Sequence, residues 1–292
     1  MTTADEPISH VSDTAFLVAQ YRAAESARPD ALFRDPFAEK LSGPKGRAIG
    51  AAMNREMTAW SIAVRTVLID KLIQEAIASG TDTILSLGSG LDARPYRLDL
   101  PKDLLWIEAD YPDVIAYKEG VLSSDVPRCR LESVSVDLSD DKERRAFLST
   151  LTKRTRNLLV LTEGVIPYLK NDQVATLADD LRQLADSTQV SWIVEYLPKR
   201  VYLHRSERSR KQMKNAPFRF RPDDWFAFFA QHGWRQKTIR YLGIEGIKLG
   251  RRAPLPWNTR MLMRIVRLFR RKKNRGQLER LLGYAVLEPI PR

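Results

Sequence analysis

Four apolar runs in the middle of the chain each lead into glycine or acid. The first, 83–87, runs into Gly88-Ser89-Gly90, and the second, 104–107, into Glu108-Ala109-Asp110. Val134-Ser135-Val136 meets Asp137-Leu138, and the run 158–161 meets Thr162-Glu163-Gly164. Two glycines one residue apart make a tight turn and leave no side chain between the backbone and whatever lies against it. An acid about 20 residues beyond such a turn suits a nucleotide ribose, whose hydroxyls need acceptors. Asp137 suits an exocyclic adenine amine, with the Leu138 backbone amide beside the ring. Taken singly, each acid is explained as a helix cap or a solvated loop carboxylate, and the glycines as an ordinary αβ turn. Four in succession fit one ligand, bound outside the carboxyl ends of neighbouring strands.

Holding such a row in place takes alternating strands and helices. Strand-like runs fall at 83–87, 104–109, 131–136, 158–163 and 190–196, with helical segments at 112–122, 140–153 and 171–186. This alternation predicts an α/β fold, a parallel sheet with helices on both faces. Further strands are expected near 234–242 and 283–288, and Pro222-Asp223-Asp224 marks a helix entry between them and the sheet. The first 80 residues read as helical. Residues 11–27 form one helix, ended by Pro29, and a short helix runs through Leu41 before Gly43-Pro44 and Gly46 break the chain. From 57 to 78, Trp60, Val64, Val67-Leu68 and Leu72 recur at amphipathic helical spacing. We therefore expect an N-terminal helical cap over 1–80 on an α/β domain over 81–292, packed as one unit. Insertions are expected at about 198–222, a polar stretch suited to a lid, and at about 245–280.

Composition narrows the classes. With 29% charged and 43% hydrophobic residues in 292, the chain is an ordinary globular protein. No apolar run approaches the roughly 20 residues that span a bilayer. The N-terminus has neither a basic region nor an apolar core, so a cytoplasmic location is expected. A lone Cys129 excludes internal disulfides and thiolate zinc sites, and His10, His204 and His232 have no metal-ligand spacing, so no metal is expected. The net charge of +12 is concentrated: residues 251–275 hold ten Lys/Arg and no acid. Within them Ile265-Val266 and Leu268-Phe269 form an apolar stripe, with Arg260, Arg264, Arg267 and Arg271 on another face. That is a helix packed on the fold with solvated arginines, or one that docks an acidic carrier protein or an anionic membrane surface. Nucleic acid is disfavoured, because the patch lacks interleaved aromatics.

Gly88-Ser89-Gly90-Leu91-Asp92-Ala93 also satisfies the G-x-G-x-x-A fingerprint of nicotinamide enzymes. The acids after the third and fourth strands argue against that alternative. Beyond the motif lie Asp13-Thr14-Ala15, Arg22-Ala23, Asp35-Pro36-Phe37, Ala63-Val64-Arg65-Thr66, Leu87 to Tyr96, Asp110-Tyr111-Pro112, Asp137-Leu138 and Glu163-Gly164-Val165. Together they resemble the leucine carboxyl methyltransferase-like family of S-adenosylmethionine-dependent methyltransferases, in its bacterial branch that includes polyketide O-methyltransferases. Matches run from about residue 11 to 196.

The resemblance implies a class I methyltransferase fold with S-adenosyl-L-methionine as cofactor. It implies that Asp110 holds the ribose hydroxyls and that Asp137 with Leu138 meets the adenine. Gly88, Ser89 and Gly90 would border the methionine part, Arg65 would reach its carboxylate, and Glu163 would face the sulfonium. Arg94 is set aside as structural, a partner for Asp92 or another local acid. O-methylation of a carboxylate or hydroxyl on a small, anionic molecule is the expected reaction. A carboxylate needs no base, whereas a phenol or enol does. Tyr168 and His204 are the weak candidates for that role, His10 and His232 being surface or helix-end residues. The alternative from another class is a non-catalytic protein that binds the cofactor.

Overall fold

The computed structural model describes residues 8–53, 55–151, 154–199, 214–255, 257 and 279–291. Its strands are β1 (Thr83–Leu87), β2 (Leu105–Asp110), β3 (Arg130–Ser135), β4 (Asn157–Thr162), β5 (Gln189–Tyr196), β6 (Trp234–Tyr241) and β7 (Gly283–Pro289). They form one sheet in the order β3-β2-β1-β4-β5-β7-β6. β1 to β5 run parallel, whereas β7 enters antiparallel between β5 and β6. β1 is buried at every position, as a strand covered on both faces must be. The chain steps outward from β1 to β2 and β3, then returns to β4 on the other side of β1. That reversal opens a crevice at the carboxyl end of β1.

Strand alternation sorts the two layers. Trp192 and Val194 of β5 pack with Val174, Leu177 and Leu181 of α7 (Asn171–Leu184) and Phe229 of α8 (Trp225–Gln231). Ile193, between them, faces the other side, with Val64, Leu68 and Leu72 of α3 (Glu56–Ala78). The remaining helices are α1 (Asp13–Ser26), α2 (Ala38–Ala52), α4 (Arg94–Arg97), α5 (Pro112–Val121), α6 (Asp141–Ser149) and α9 (Leu242–Lys248). Of the N-terminal helices, α3 shares its core with the sheet, while α1 and α2 pack chiefly on each other.

The helix expected to stop at Leu41 in fact continues. α2 runs from Ala38 to Ala52 through a kink at Gly43 (φ 54°, ψ −163°). Pro44 is tolerated because it sits in the first turn of the resumed helix, where an N–H has no intrahelical acceptor. Gly46 is a contact point rather than a break, since a Cβ there would lie 2.8 Å from the Phe16 carbonyl oxygen of α1. Most of the expected lid, His204 included, and nearly all of the basic amphipathic segment lie outside the described residues. Arg251, at the start of that segment, is an anchor: it pairs with Glu25 at 3.1 Å, and its carbonyl accepts the Trp60 indole N–H at 2.8 Å. Among the described residues no helix is long and apolar enough to cross a membrane, and no His/Cys/Asp/Glu group is arranged to hold a metal.

Candidate functional site

β1 delivers the chain to Gly88 and Gly90 at φ 62° and 52°, a left-handed backbone that costs other residues roughly 1–2 kcal/mol. Space forbids a side chain at Gly88 as well, for its Cβ would lie 2.4 Å from Val165 Cγ2. The Gly88 N–H donates to the Ala109 carbonyl at 2.7 Å, tying the turn to the end of β2. There Asp110 accepts the Gly90 N–H at 2.6 Å and the Tyr111 N–H at 2.7 Å, one on each oxygen. Burial pushes the Asp110 carboxyl up, and these two bonds pull it back. Each oxygen keeps a further lone pair for a ligand hydroxyl.

A row of charge flanks the turn. Glu163 Oε1 lies 2.9 Å from Arg65 Nε of α3, and its Oε2 accepts from Arg94 at 2.7 Å. Arg94, fully buried, also reaches Asp92 at 2.7 Å and Asp70 at 2.6 Å. It is the structural ion-pair residue expected from the sequence, and it extends to Glu163. Burial alone would raise the Glu163 carboxyl, but Arg94 and Arg65 outweigh it and hold the group below the ordinary range. Burial likewise disfavours the Arg65 cation, and Glu163 together with Tyr284, Glu195 and Tyr168 outweighs it. Although Arg65 Nε is close to Glu163, it is not aligned for a hydrogen bond, and Ser89 Oγ is also buried without a partner. Both groups are therefore ready to serve a ligand.

One cavity covers the carboxyl ends of β1, β2 and β4, and Arg65, Gly88, Ser89, Gly90, Asp110 and Glu163 all line it. Leu138 and Ser139 line it too, whereas Asp137 does not. One oxygen of the Asp137 carboxylate, Oδ1, accepts the Ser139 N–H at 2.8 Å and the Ser139 hydroxyl at 2.7 Å. Tyr168, in the turn Ile166–Tyr168, lines the cavity and meets Phe218 edge-on at 5.2 Å. His10 bonds Ser12 at 2.8 Å, and His232, at the end of α8, bonds Asp179 at 2.7 Å. Neither histidine lines the cavity. Spacing alone missed the fourth wall: Ser12, Ala15, Val18 and Arg22 come from the start of the chain and α1. Arg22 clamps that wall, donating to Asp35 at 3.1 Å and to the Leu91 carbonyl.

A family model described as leucine carboxyl methyltransferase matches residues 15–182, which carry the glycine turn, Asp110, Arg65 and Glu163. The chain belongs to the leucine carboxyl methyltransferase family. It is 32% identical over 270 residues to a Mycobacterium tuberculosis protein named "Putative S-adenosyl-L-methionine-dependent methyltransferase", covering 84% of this chain and 86% of that one. A Saccharopolyspora erythraea protein of the same name is 36% identical over 194 residues, 61% of this chain and 65% of its own. A solved structure titled as a putative methyltransferase from Thermobifida fusca covers 95% of this chain and 94% of its own, at 16% identity and a TM-score of 0.49. This member of the leucine carboxyl methyltransferase family is an S-adenosylmethionine-dependent methyltransferase.

The cavity fits that cofactor. Its glycine cradle excludes a Cβ, Asp110 has acceptors to offer a ribose, Arg65 would offer a cation to the carboxylate, and Glu163 an anion to the sulfonium. The family's turn should not tolerate even one methyl group. Gly88→Ala is expected to weaken S-adenosylhomocysteine binding by about 100-fold, from positive-φ strain plus the contact with Val165. In a calorimetric titration, adding Val165→Ala should restore only the steric part of that loss.

Proposed function

We propose that the methyl group goes to an oxygen of a small anionic acceptor, a carboxylate or an acidic hydroxyl. The observation that carries this is the commitment of every acid among the described lining residues. Asp110 holds two backbone N–H groups, and Asp92 and Glu163 are paired with Arg94. None of these is placed to take a proton, so an acceptor that arrives ionised suits the cavity. Tyr168 lines the cavity and offers a hydroxyl that can orient the acceptor.

S-adenosylmethionine supplies a methyl on a sulfonium whose positive charge disappears on transfer. The chain's own residues bind, orient and exclude water. Val11, Val18 and Val165 give the cavity an apolar wall. Residues 214–221 pack on the Tyr168 turn, the Arg219 N–H donating to the Pro167 carbonyl at 2.7 Å. Exposed Lys214 and Arg219 on this strap draw an anionic acceptor toward the site.

The test is an acceptor screen with methyl-labelled S-adenosylmethionine, sorted by base-labile ester, base-stable ether, amine and thioether products. Ester or enol-ether label is expected. Label found only on nitrogen or sulfur would overturn the proposal, and binding of NAD without either adenosyl ligand would overturn the cofactor assignment.

A further inference from the structure

Next to the last residue of β5 stands an acid that does not line the cofactor cavity. Trp192-Ile193-Val194 leads into Glu195, which is 4% exposed. One of its oxygens accepts the Gly164 N–H, and the other is buried with no partner. Leaving a carboxylate oxygen in that state is costly unless the group is neutralised or finds a cation. The pairing of β4 with β5 ends at Thr162–Val194, so Glu195 stands one step beyond, beside Glu163. The pairing of β5 with β7 sets it opposite Tyr284. From α3 above, the Arg65 charge acts on both Glu163 and Glu195. The guanidinium that pairs with Glu163 at the cavity wall therefore also casts its charge on Glu195, behind the Gly164 turn and without a direct ion pair to it.

We propose that Glu195 is a positioning residue that competes for Arg65, releasing it to the cofactor's carboxylate when protonated and drawing it back when ionised. This rests on the methyltransferase reading of the cavity. The ionisable groups around Glu195 are Arg65 from α3, Glu163 from the end of β4 and Tyr284 from β7, with Tyr168 and Arg94 acting through Arg65 and Glu163. Burial pushes the Glu195 carboxyl up to about 7, against the Gly164 N–H and Arg65. The exchange thus falls in the neutral range. Because the cofactor's carboxylate prefers protonated Glu195, binding takes up a proton above about pH 7, and affinity falls as pH rises through that value.

The experiment is calorimetric titration of wild type and Glu195→Gln at pH 6 and pH 8. S-adenosylhomocysteine is the ligand, and 5′-methylthioadenosine, which keeps the nucleoside but lacks the carboxylate, is the control. Wild type should bind S-adenosylhomocysteine about tenfold more weakly at pH 8, while Glu195→Gln changes by less than about twofold. Methylthioadenosine should show no such slope in either protein. Repeating the wild-type titration at pH 7.5 in buffers of different ionisation heat should reveal proton uptake with S-adenosylhomocysteine alone. The proposal fails if wild type shows no slope, if the variant keeps it, if methylthioadenosine shares it, or if no proton is taken up. Should the variant not fold, the wild-type proton count decides. Absence of any wild-type S-adenosylhomocysteine binding at pH 6 would instead sink the cofactor reading itself.

Discussion

Arg94→Met lowers the unfolding free energy by about 3–5 kcal/mol, the cost of removing one partner from a buried ionic cluster. For a chain of this size that is a drop in Tm of roughly 10 °C. Methionine keeps most of the volume, so the loss is electrostatic. Arg94 touches three carboxylates, which do not suffer equally. Asp70 retains Arg97 at 2.7 and 2.8 Å, and Glu163 retains Arg65 at 2.9 Å. Asp92 keeps only the backbone N–H of residue 94, at 3.1 Å. Burial would raise the Asp92 carboxyl, and it is Arg94, with Arg22 behind it, that now holds it far below the ordinary range.

In wild type that depressed carboxyl contributes stability present at neutral pH and lost only in strong acid. In the variant the sign reverses: burial leaves Asp92 raised, so stability is present in mild acid and lost as the pH rises. Denaturant unfolding should therefore show a wide gap between the proteins at pH 8 and a narrower one at pH 5. A gap that does not change with pH would mean that packing, not charge, is what Arg94 supplies.

The same cluster shows what could be read from the chain and what could not. The strands were legible because each is short, apolar and followed by a residue type with a job: the expected 83–87 is β1 itself, and the other strand ends fall within about a residue. The row of Gly88, Gly90, Asp110 and Glu163 followed from one rule, that ligands bind beyond strand ends. Glu195 obeys that rule too, but as a single acid before the last residue of β5 it has no glycine turn beside it to mark it in the sequence. Asp137 adds a detail that a strand-end rule does not see: Ser139, two residues on, bonds one carboxylate oxygen through its N–H and its hydroxyl, which fixes how the acid is held beside the cavity. The α1 wall was hidden for a different reason. Ala15 and Val18 look like ordinary core residues, and only the tertiary fold carries them across the crevice to lie over Gly90. In α2, Gly43-Pro44 and Gly46 carry the signature of a break, yet the first turn of a helix accepts Pro and close helix packing demands Gly.

Asp110→Asn should weaken S-adenosylhomocysteine binding by a few hundred-fold, about 3–4 kcal/mol, while shifting Tm little. The carboxylate now accepts one N–H on each oxygen, from Gly90 at 2.6 Å and Tyr111 at 2.7 Å. An amide has one oxygen and one NH2, so either orientation sets its donors against a backbone donor. The turn must then relax away from the geometry that cradles the ligand. The amide also forfeits the charge that strengthens bonds to two ribose hydroxyls, each charge-assisted bond being worth about 1.5–3 kcal/mol. Stability suffers less than affinity because burial already penalises the Asp110 charge, so neutralising it returns part of what the lost bonds remove. Adenine alone, which lacks the ribose, separates the two contributions. Its binding should fall only by the part that comes from turn relaxation. An equal loss for adenine and S-adenosylhomocysteine would show that Asp110 shapes the turn without touching the sugar. A loss under about fivefold for S-adenosylhomocysteine would place the ribose elsewhere in the cavity.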